Sequence, residues 1–516
     1  MWEAVAASRF MIDIMNKFYQ LLFFCAFVCF AHGICAQTFK DYKRQAKQEF
    51  EAYREKTRRD FSAYRDSVNA EFARFMREAW KKRDAKPAVP LPERPEPPKP
   101  VVKHPGREPS QDTLPFELMD PSLPFRPKLQ PVTPRPQPFV PLDVPEPDVP
   151  ELKPVQPAFP VDFYGGSYAL PLTDAQRFEL KGVDENSVAD AWLRLSEADY
   201  LPLLSACMQW RDSLLLCDWG YVRFLEKMTG AFFPESRQNE ARLLQMFILT
   251  QSGYKVRIAR SGNRLCLLLP LREMVYGYPY IMRDGMRYYI LPSDGKGPYY
   301  VMEHAFPKEQ QFSMEIPVMP SLASALTARR QLCSKVYPEV TMTVAVNKNL
   351  MDFYTDYPQT SWNVYVQASL STEAKAAMYP ALKAAVAGKD KSVAAGMLLN
   401  FVQTAFAYRT DDEQFGYERP LFPDETLYYP YSDCEDRAIL YTVLVRELLG
   451  LDVVLLHYPN HLATAVALGN DVPGDYLTLD GRKYLVCDPT YINAGIGEAM
   501  SQYKQTKAEV IRVAGK

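Results

Sequence analysis

The sequence predicts a mixed α+β chain, two related lobes behind an extended N-terminal arm, and three observations lead to it. Apolar residues at helical spacing near 187–229, 236–252 and 372–408 alternate with short period-two runs such as "YKVRIAR", "RLCLLLPL" and "RYYILP", the patterns of helix and half-buried strand. Sliding the sequence against itself by 197 positions lays one helix–strand–strand stretch on another without a gap. Finally, 24 of the 43 prolines fall between residues 87 and 160, a spacer that divides the arm from the globular part. With 516 residues, 47% of them hydrophobic, the chain can bury a large core, and a formal net charge of −2 gives no basis for nucleic-acid binding.

Residues 1–36 read as a targeting segment. Lys17 supplies the positive start, "LLFFCAFVCFA" from Leu21 to Ala31 the apolar run, and "GICAQ" a cleavage point after Ala36. The apolar run is about 15 residues, short of the roughly 20 that cross a bilayer. The expectation is export to the periplasm or cell envelope. Residues 37–86 then repeat with a period of 11: Phe39 and Tyr42, Phe50 and Tyr53, Phe61 and Tyr64, Phe72 and Phe75. That period is about 3.67 residues per turn, so one long helix would carry a nearly straight aromatic stripe. Such a helix self-associates or lies on an envelope partner; 15 basic against 9 acidic residues between Thr38 and Lys86 keep a membrane-surface role open. Residues 87–160 are a semi-rigid polyproline spacer that holds the helix away from the rest.

Cysteine usage narrows the chemistry. Cys25, Cys29 and Cys35 leave with the targeting segment, and the remaining six (Cys207, Cys217, Cys266, Cys333, Cys434, Cys487) are too few for a disulfide framework and contain no CxxC pair for zinc. One of them, Cys434, stands among acids at the start of a clean amphipathic helix in "YYPYSDCEDRAILYTVLVRELLG". A helix start favours the thiolate. Of five histidines, only His304, His457 and His461 fall in folded regions. His461 opens the strand "HLATAVAL" 27 residues after Cys434, and Asp488 ends the strand "RKYLVCDPT" another 27 residues on.

Were those strands neighbours under the helix, Cys434 would be the nucleophile, His461 the base and later the acid, and Asp488 the group that orients the ring. The backbone N–H of Cys434 would face an acyl oxyanion. Asp433, Glu435 and Asp436 read as helix N-terminal acids that also surround the thiol with negative charge. His457 reads as structural. A metal set of Cys434, Asp436, His457 and Asp488 is the lesser reading, so no metal or cofactor is expected.

"SDCEDRA", "NHLATAV" and "CDPTY" resemble the catalytic core of the transglutaminase-like superfamily over roughly residues 395–500. The resemblance implies a papain-like α+β fold with a Cys, His, Asp triad in that chain order. It also implies an oxyanion hole completed by an aromatic or Gln side chain, for which Gln414, Tyr431 and Tyr429 are candidates. The family includes cross-linking enzymes, peptidases and amidases.

The internal alignment sets Ala241 on Ala438, Gly253 on Gly450 and Asn263 on Asn460, while Arg237, Arg264 and Pro292 fall at the three triad positions. Residues 161–300 are therefore expected to be a degenerate copy of the catalytic fold in 376–516. Its two arginines would make surface salt bridges or bind an anion. Residues 301–375 are expected to be a β-rich connection, with "VTMTVAV" and "SWNVYVQASL" as strands. The functional expectation is an exported cysteine hydrolase acting on a protein or peptide through an acyl-enzyme. Acyl transfer to an amine is the alternative, and a non-catalytic envelope scaffold the alternative of another class.

Overall fold

A computed structural model of the protein describes residues 36–91, 101–103, 158–293, 297–306 and 308–513. The expected targeting segment and most of the proline-rich spacer lie outside the described residues. The chain forms two compact units, residues 1–71 and 72–516, and none of the described helices is long and apolar enough to cross a membrane.

The first unit contains most of helix α1 (Ala36–Met76). Phe50, Tyr53 and Tyr64 of its aromatic stripe are exposed. Two corrections concern its end. The helix stops at Met76 rather than running to 86, and the chain beyond it becomes an edge strand, β1 (Lys81–Arg83), of the first sheet. The reason is packing. Phe72 stacks on Phe306 at 4.2 Å and meets Trp192 at 4.6 Å; Trp80 is buried and donates from Nε1 to the Met76 carbonyl at 2.9 Å. Lys81 and Arg83 then pair with Glu303. The start of the proline-rich segment is likewise not a free spacer: Val89 accepts from Gly277 N, and Val101–Lys103 lies along Ile492.

Residues 72–516 hold two sheets of matching design. The first has strands β2 (Arg257–Ser261), β3 (Arg264–Pro270), β4 (Tyr280–Arg283), β5 (Met286–Leu291) and β6 (Tyr299–Val301), in the order β1-β6-β2-β3-β5-β4. The second has β7 (Val453–Tyr458), β8 (His461–Val466), β9 (Tyr476–Leu479), β10 (Arg482–Cys487) and β11 (Glu509–Arg512), in the order β11-β7-β8-β10-β9. Apart from β1 the two orders are the same, and every pairing is antiparallel.

The shared Asp-Gly turns agree in conformation as well. Asp284 and Gly285 have φ of 50° and 74°, Asp480 and Gly481 of 51° and 76°, the positive values a two-residue hairpin of this twist requires. Each sheet also carries a packed helix pair: α2 (Asp218–Phe232) with α3 (Gln238–Gln251), and α4 (Lys391–Ala405) with α5 (Cys434–Leu449). One continuous apolar core runs through both halves, and each sheet buries a smaller cluster on its other face.

The connection from 301 to 375 is not β-rich. Beyond the β6 end it contributes one hairpin, Arg330–Cys333 with Thr341–Val344, and two helices, Lys348–Thr355 and Trp362–Gln367. "SWNVYVQASL" is thus helical despite its β-branched and aromatic residues, because Val364, Tyr365 and Val366 are buried where this helix packs on α5. Tertiary burial overrides a propensity worth about 1 kcal/mol or less per residue.

One buried acid gives the fold a pH signature. Asp424, fully buried, accepts from Ser371 N at 2.9 Å and from Ser371 Oγ. Burial, against these bonds, pushes its carboxyl up to about 6. A carboxyl raised on folding stabilises the fold below its unfolded pKa, and that contribution is lost as pH rises through the folded value. Asp424→Asn should therefore flatten the stability profile between about pH 4 and 6, removing a slope on the order of 2–3 kcal/mol. Urea midpoints across that range check it.

Candidate active site

The helix bearing Cys434 starts abruptly. Asp433 is extended, with φ −108° and ψ −154°, and its N–H donates to Asp436 Oδ2 at 3.1 Å. The other Asp436 oxygen accepts from Leu421 N at 2.9 Å. One side chain thereby fixes both the helix start and the loop before it. Gly450 closes the helix in the left-handed region, φ 64°.

α5 is not amphipathic, as its sequence suggested. Every residue from Cys434 to Val445 is buried, including Glu435, Asp436 and Arg437, because α4, the helices Trp362–Gln367 and Pro423–Tyr428, and strands β7 and β8 enclose it. Arg437 meets this burial by donating to Ser432 Oγ, Gln403 O and Phe406 O at 3.2, 3.3 and 2.9 Å. Its guanidinium stands 5.2 Å from the Tyr408 ring centroid.

His461 and Asp488 are brought together. His461 Nε2 lies 2.8 Å from Asp488 Oδ2, and both side chains are buried. The second oxygen of Asp488 accepts from Thr490 N at 2.9 Å. This bond assigns the ring proton to Nε2 and leaves Nδ1 as the basic nitrogen; Nδ1 is itself buried and has no hydrogen-bond partner. Tyr503 stacks on the imidazole at 5.0 Å and 16°.

Cys434 sits at the first residue of α5, and α5 packs on the strand that His461 opens. Its sulfur is fully buried and donates to Glu435 Oε2 at 3.2 Å, not to the imidazole. Burial first, and then the charges of Cys434 and Asp488, raise the Tyr503 phenol above the ordinary range.

The acids around the thiol are held away from their usual ionisation. Burial first, and then their mutual repulsion, raises Asp433 and Asp436 well above the carboxylate range, and Asp411 with them. Cys487, by contrast, is pushed up to about 12 by burial and is inert packing.

Gln414 ends the Asp411–Gln414 turn with its buried Nε2 unpartnered. Tyr431 lies beneath Arg409, whose guanidinium is 3.9 Å from its ring centroid. Tyr429 accepts from Arg419 Nη1 at 2.8 Å. His457 packs against Trp362 and lies 3.4 Å from Glu509, a structural role, and His304 stacks on Phe75. The set Cys434, Asp436, His457 and Asp488 is not assembled as a metal site. The ligand-type atoms that do converge are those of Asp411–Asp433–Asp436, Asp433–Cys434–Glu435 and Asp411–Glu418–Glu435.

At the matching positions of the first sheet, Arg237 pairs with Glu240 at 3.1 Å and donates to Phe178 O. Asn239 bridges Asn263 O and Leu265 N at 3.0 and 2.9 Å. Arg264 opens β3 and Pro292 follows β5. For Arg237 the contacts are those of a salt bridge.

Sequence reasoning missed Gln403, whose Nε2 lies 3.1, 2.8 and 3.1 Å from the carbonyls of Asp488, Tyr491 and Ala494. Only its burial on α4, in an otherwise apolar stretch, could have signalled it. This amide pins the turn that carries Asp488. Gln403→Leu should leave three buried carbonyls short of a donor and cost about 1–3 kcal/mol, read as a lowered urea midpoint with an unchanged slope. Comparison with protein-family models, curated proteins and solved structures finds no match to this chain.

Proposed function

We propose that the protein is an exported cysteine hydrolase of the transglutaminase-like class, with Cys434 as nucleophile, His461 as base and acid, and Asp488 as the orienting acid. The observation that carries this reading is the buried His461–Asp488 bond of 2.8 Å with Nδ1 left without a partner. A buried imidazole held by a carboxylate through one nitrogen, with the other bare, is arranged to take a proton. The first residue of the helix packed on that strand is a cysteine.

The reaction would run through a thioester. Sγ leaves Glu435 and gives its proton to Nδ1, sulfur attacks an amide carbonyl, and the protonated imidazole returns the proton to the leaving amine; water, or an amine in the transfer alternative, then releases the acyl group. The substrate is a protein or peptide of the cell envelope. The matching first sheet supports the degenerate-copy reading: the same strand order and the same Asp-Gly turn recur, while Arg237 and Arg264 replace thiol and imidazole. The exposed aromatic stripe of α1 serves self-association or an envelope partner.

A non-catalytic scaffold is the second reading, and one observation favours it: the sulfur is fully buried and hydrogen-bonded to a carboxylate rather than to the ring. Alkylation with iodoacetamide separates the two. The enzyme reading expects Cys434 to react faster at neutral pH than the exposed Cys333, with the rate cut about 10²–10⁴-fold in His461→Ala and reduced in Asp488→Asn. Peptide mapping that finds Cys333 modified and Cys434 untouched selects the scaffold.

A further inference from the structure

Helix α1 carries its aromatic pairs at an 11-residue spacing. Within the first unit Phe50, Tyr53 and Tyr64 are 53%, 41% and 61% exposed. Exposed rings in line along an otherwise polar helix are a strip that a partner covers. The charges beside the strip say which partner.

An 11-residue repeat over three turns advances about 98° per residue. Phe50, Thr57 and Tyr53 then share one band with Thr57 on its midline, and Glu49 and Arg54 stand about 65° to either side of that line. The next repeat sets Asp60 and Arg65 at the same two places. Lys47 and Lys56 lie farther round, one on each side, about 98° from the midline. Acids therefore border one margin of the strip and arginines the other. Within the single chain Arg54 reaches Glu51 at 3.8 Å and Arg65 meets Asp66 at 2.7 Å. Local surface pairs of this kind contribute little and exchange quickly.

Two such helices with their strips in contact have two orientations. A parallel two-fold pair sets the acidic margin of each helix against the arginine margin of the other. An antiparallel pair sets acid against acid and arginine against arginine. Flanking charges decide orientation and partner choice in paired helices. In register, Glu49 and the second copy's Arg54 differ by five residues, about 7.5 Å along the axis. An arginine spans that gap, because helical side chains lean toward the N-terminus. A lipid surface gives no use to the acidic margin, and an anionic one repels it.

We propose that α1 pairs in parallel with α1 of a second copy of this chain through the Phe50–Tyr53 strip, with Glu49 of each copy on Arg54 of the other. This deepens the self-association reading of α1. It holds or fails apart from the chemistry at Cys434, which alkylation decides.

Sedimentation equilibrium of the full chain over a range of concentrations tests it. The expected result is a reversible dimer whose Kd rises by about 10-fold or more when Phe50→Ala and Tyr53→Ala are combined. Both side chains are exposed, so the variant keeps the fold, which circular dichroism checks. Arg54→Glu sets Glu49 against a second acid and should raise Kd about 10-fold, and adding Glu49→Arg should restore the wild-type value. A wild-type chain that stays monomeric overturns the proposal, and flotation of that monomer with phosphatidylglycerol vesicles then assigns the strip to lipid. A dimer indifferent to the aromatic substitutions overturns it as well, since the contact lies elsewhere. Unchanged or tighter dimerisation in Arg54→Glu refutes the parallel pairing, the tighter case marking antiparallel helices.

Discussion

A helix buried on every side must satisfy its first amides from within the protein, since water cannot reach them. α5 meets this constraint with Asp436, which spans from the residue before the helix to Leu421 in the preceding loop. The first helical residue is thereby fixed in space, and that residue is Cys434. Much else follows from its enclosure. Arg437 must reach backbone carbonyls because no solvent is near, and the connection before α4 must supply a helix, Trp362–Gln367, where its sequence resembles a strand.

Burial also sets the chemistry. The Asp488 carboxylate fixes one ring nitrogen of His461, so the proton inventory of the imidazole is decided by a neighbour and not by solvent. Around the thiol the same burial works in the opposite sense, because clustered acids in a low-dielectric interior resist ionising together. The imidazole proton is thus placed by a carboxylate, while the acids next to Cys434 are held back from ionising. Tyr503, stacked on the imidazole, completes the cover over the pair.

The strands were the most legible part of the chain. "YKVRIAR", "RLCLLLPL", "HLATAVAL" and "RKYLVCDPT" all occur as strands, since alternation and tight turns are local properties. The repeat at 197 positions led to the expectation of a duplicated fold, the two sheets have one strand order, and spacing singled out the His461–Asp488 pair. What the sequence hid was decided by distant contacts. Nothing near residue 80 says that the arm turns back to pair with Val301, and nothing near 362 says that its valines face a helix rather than a sheet. Glu435 read as a cap acid on an amphipathic surface. Only the enclosure of α5 turns it into the partner of the thiol.

One asymmetry between the matched sheets remains. The second ends at β11, whose exposed Glu509 and Arg512 put charge along an open margin, the usual guard against pairing with another chain. The first ends at the Tyr-Tyr-Val of β6, which carries no charge and is covered by Lys81–Arg83. The arm thus acts as a selvedge. A version of the chain trimmed before residue 84 would bare a sticky aromatic border, and its tendency to clump would reflect that lost hem rather than any defect in the lobes.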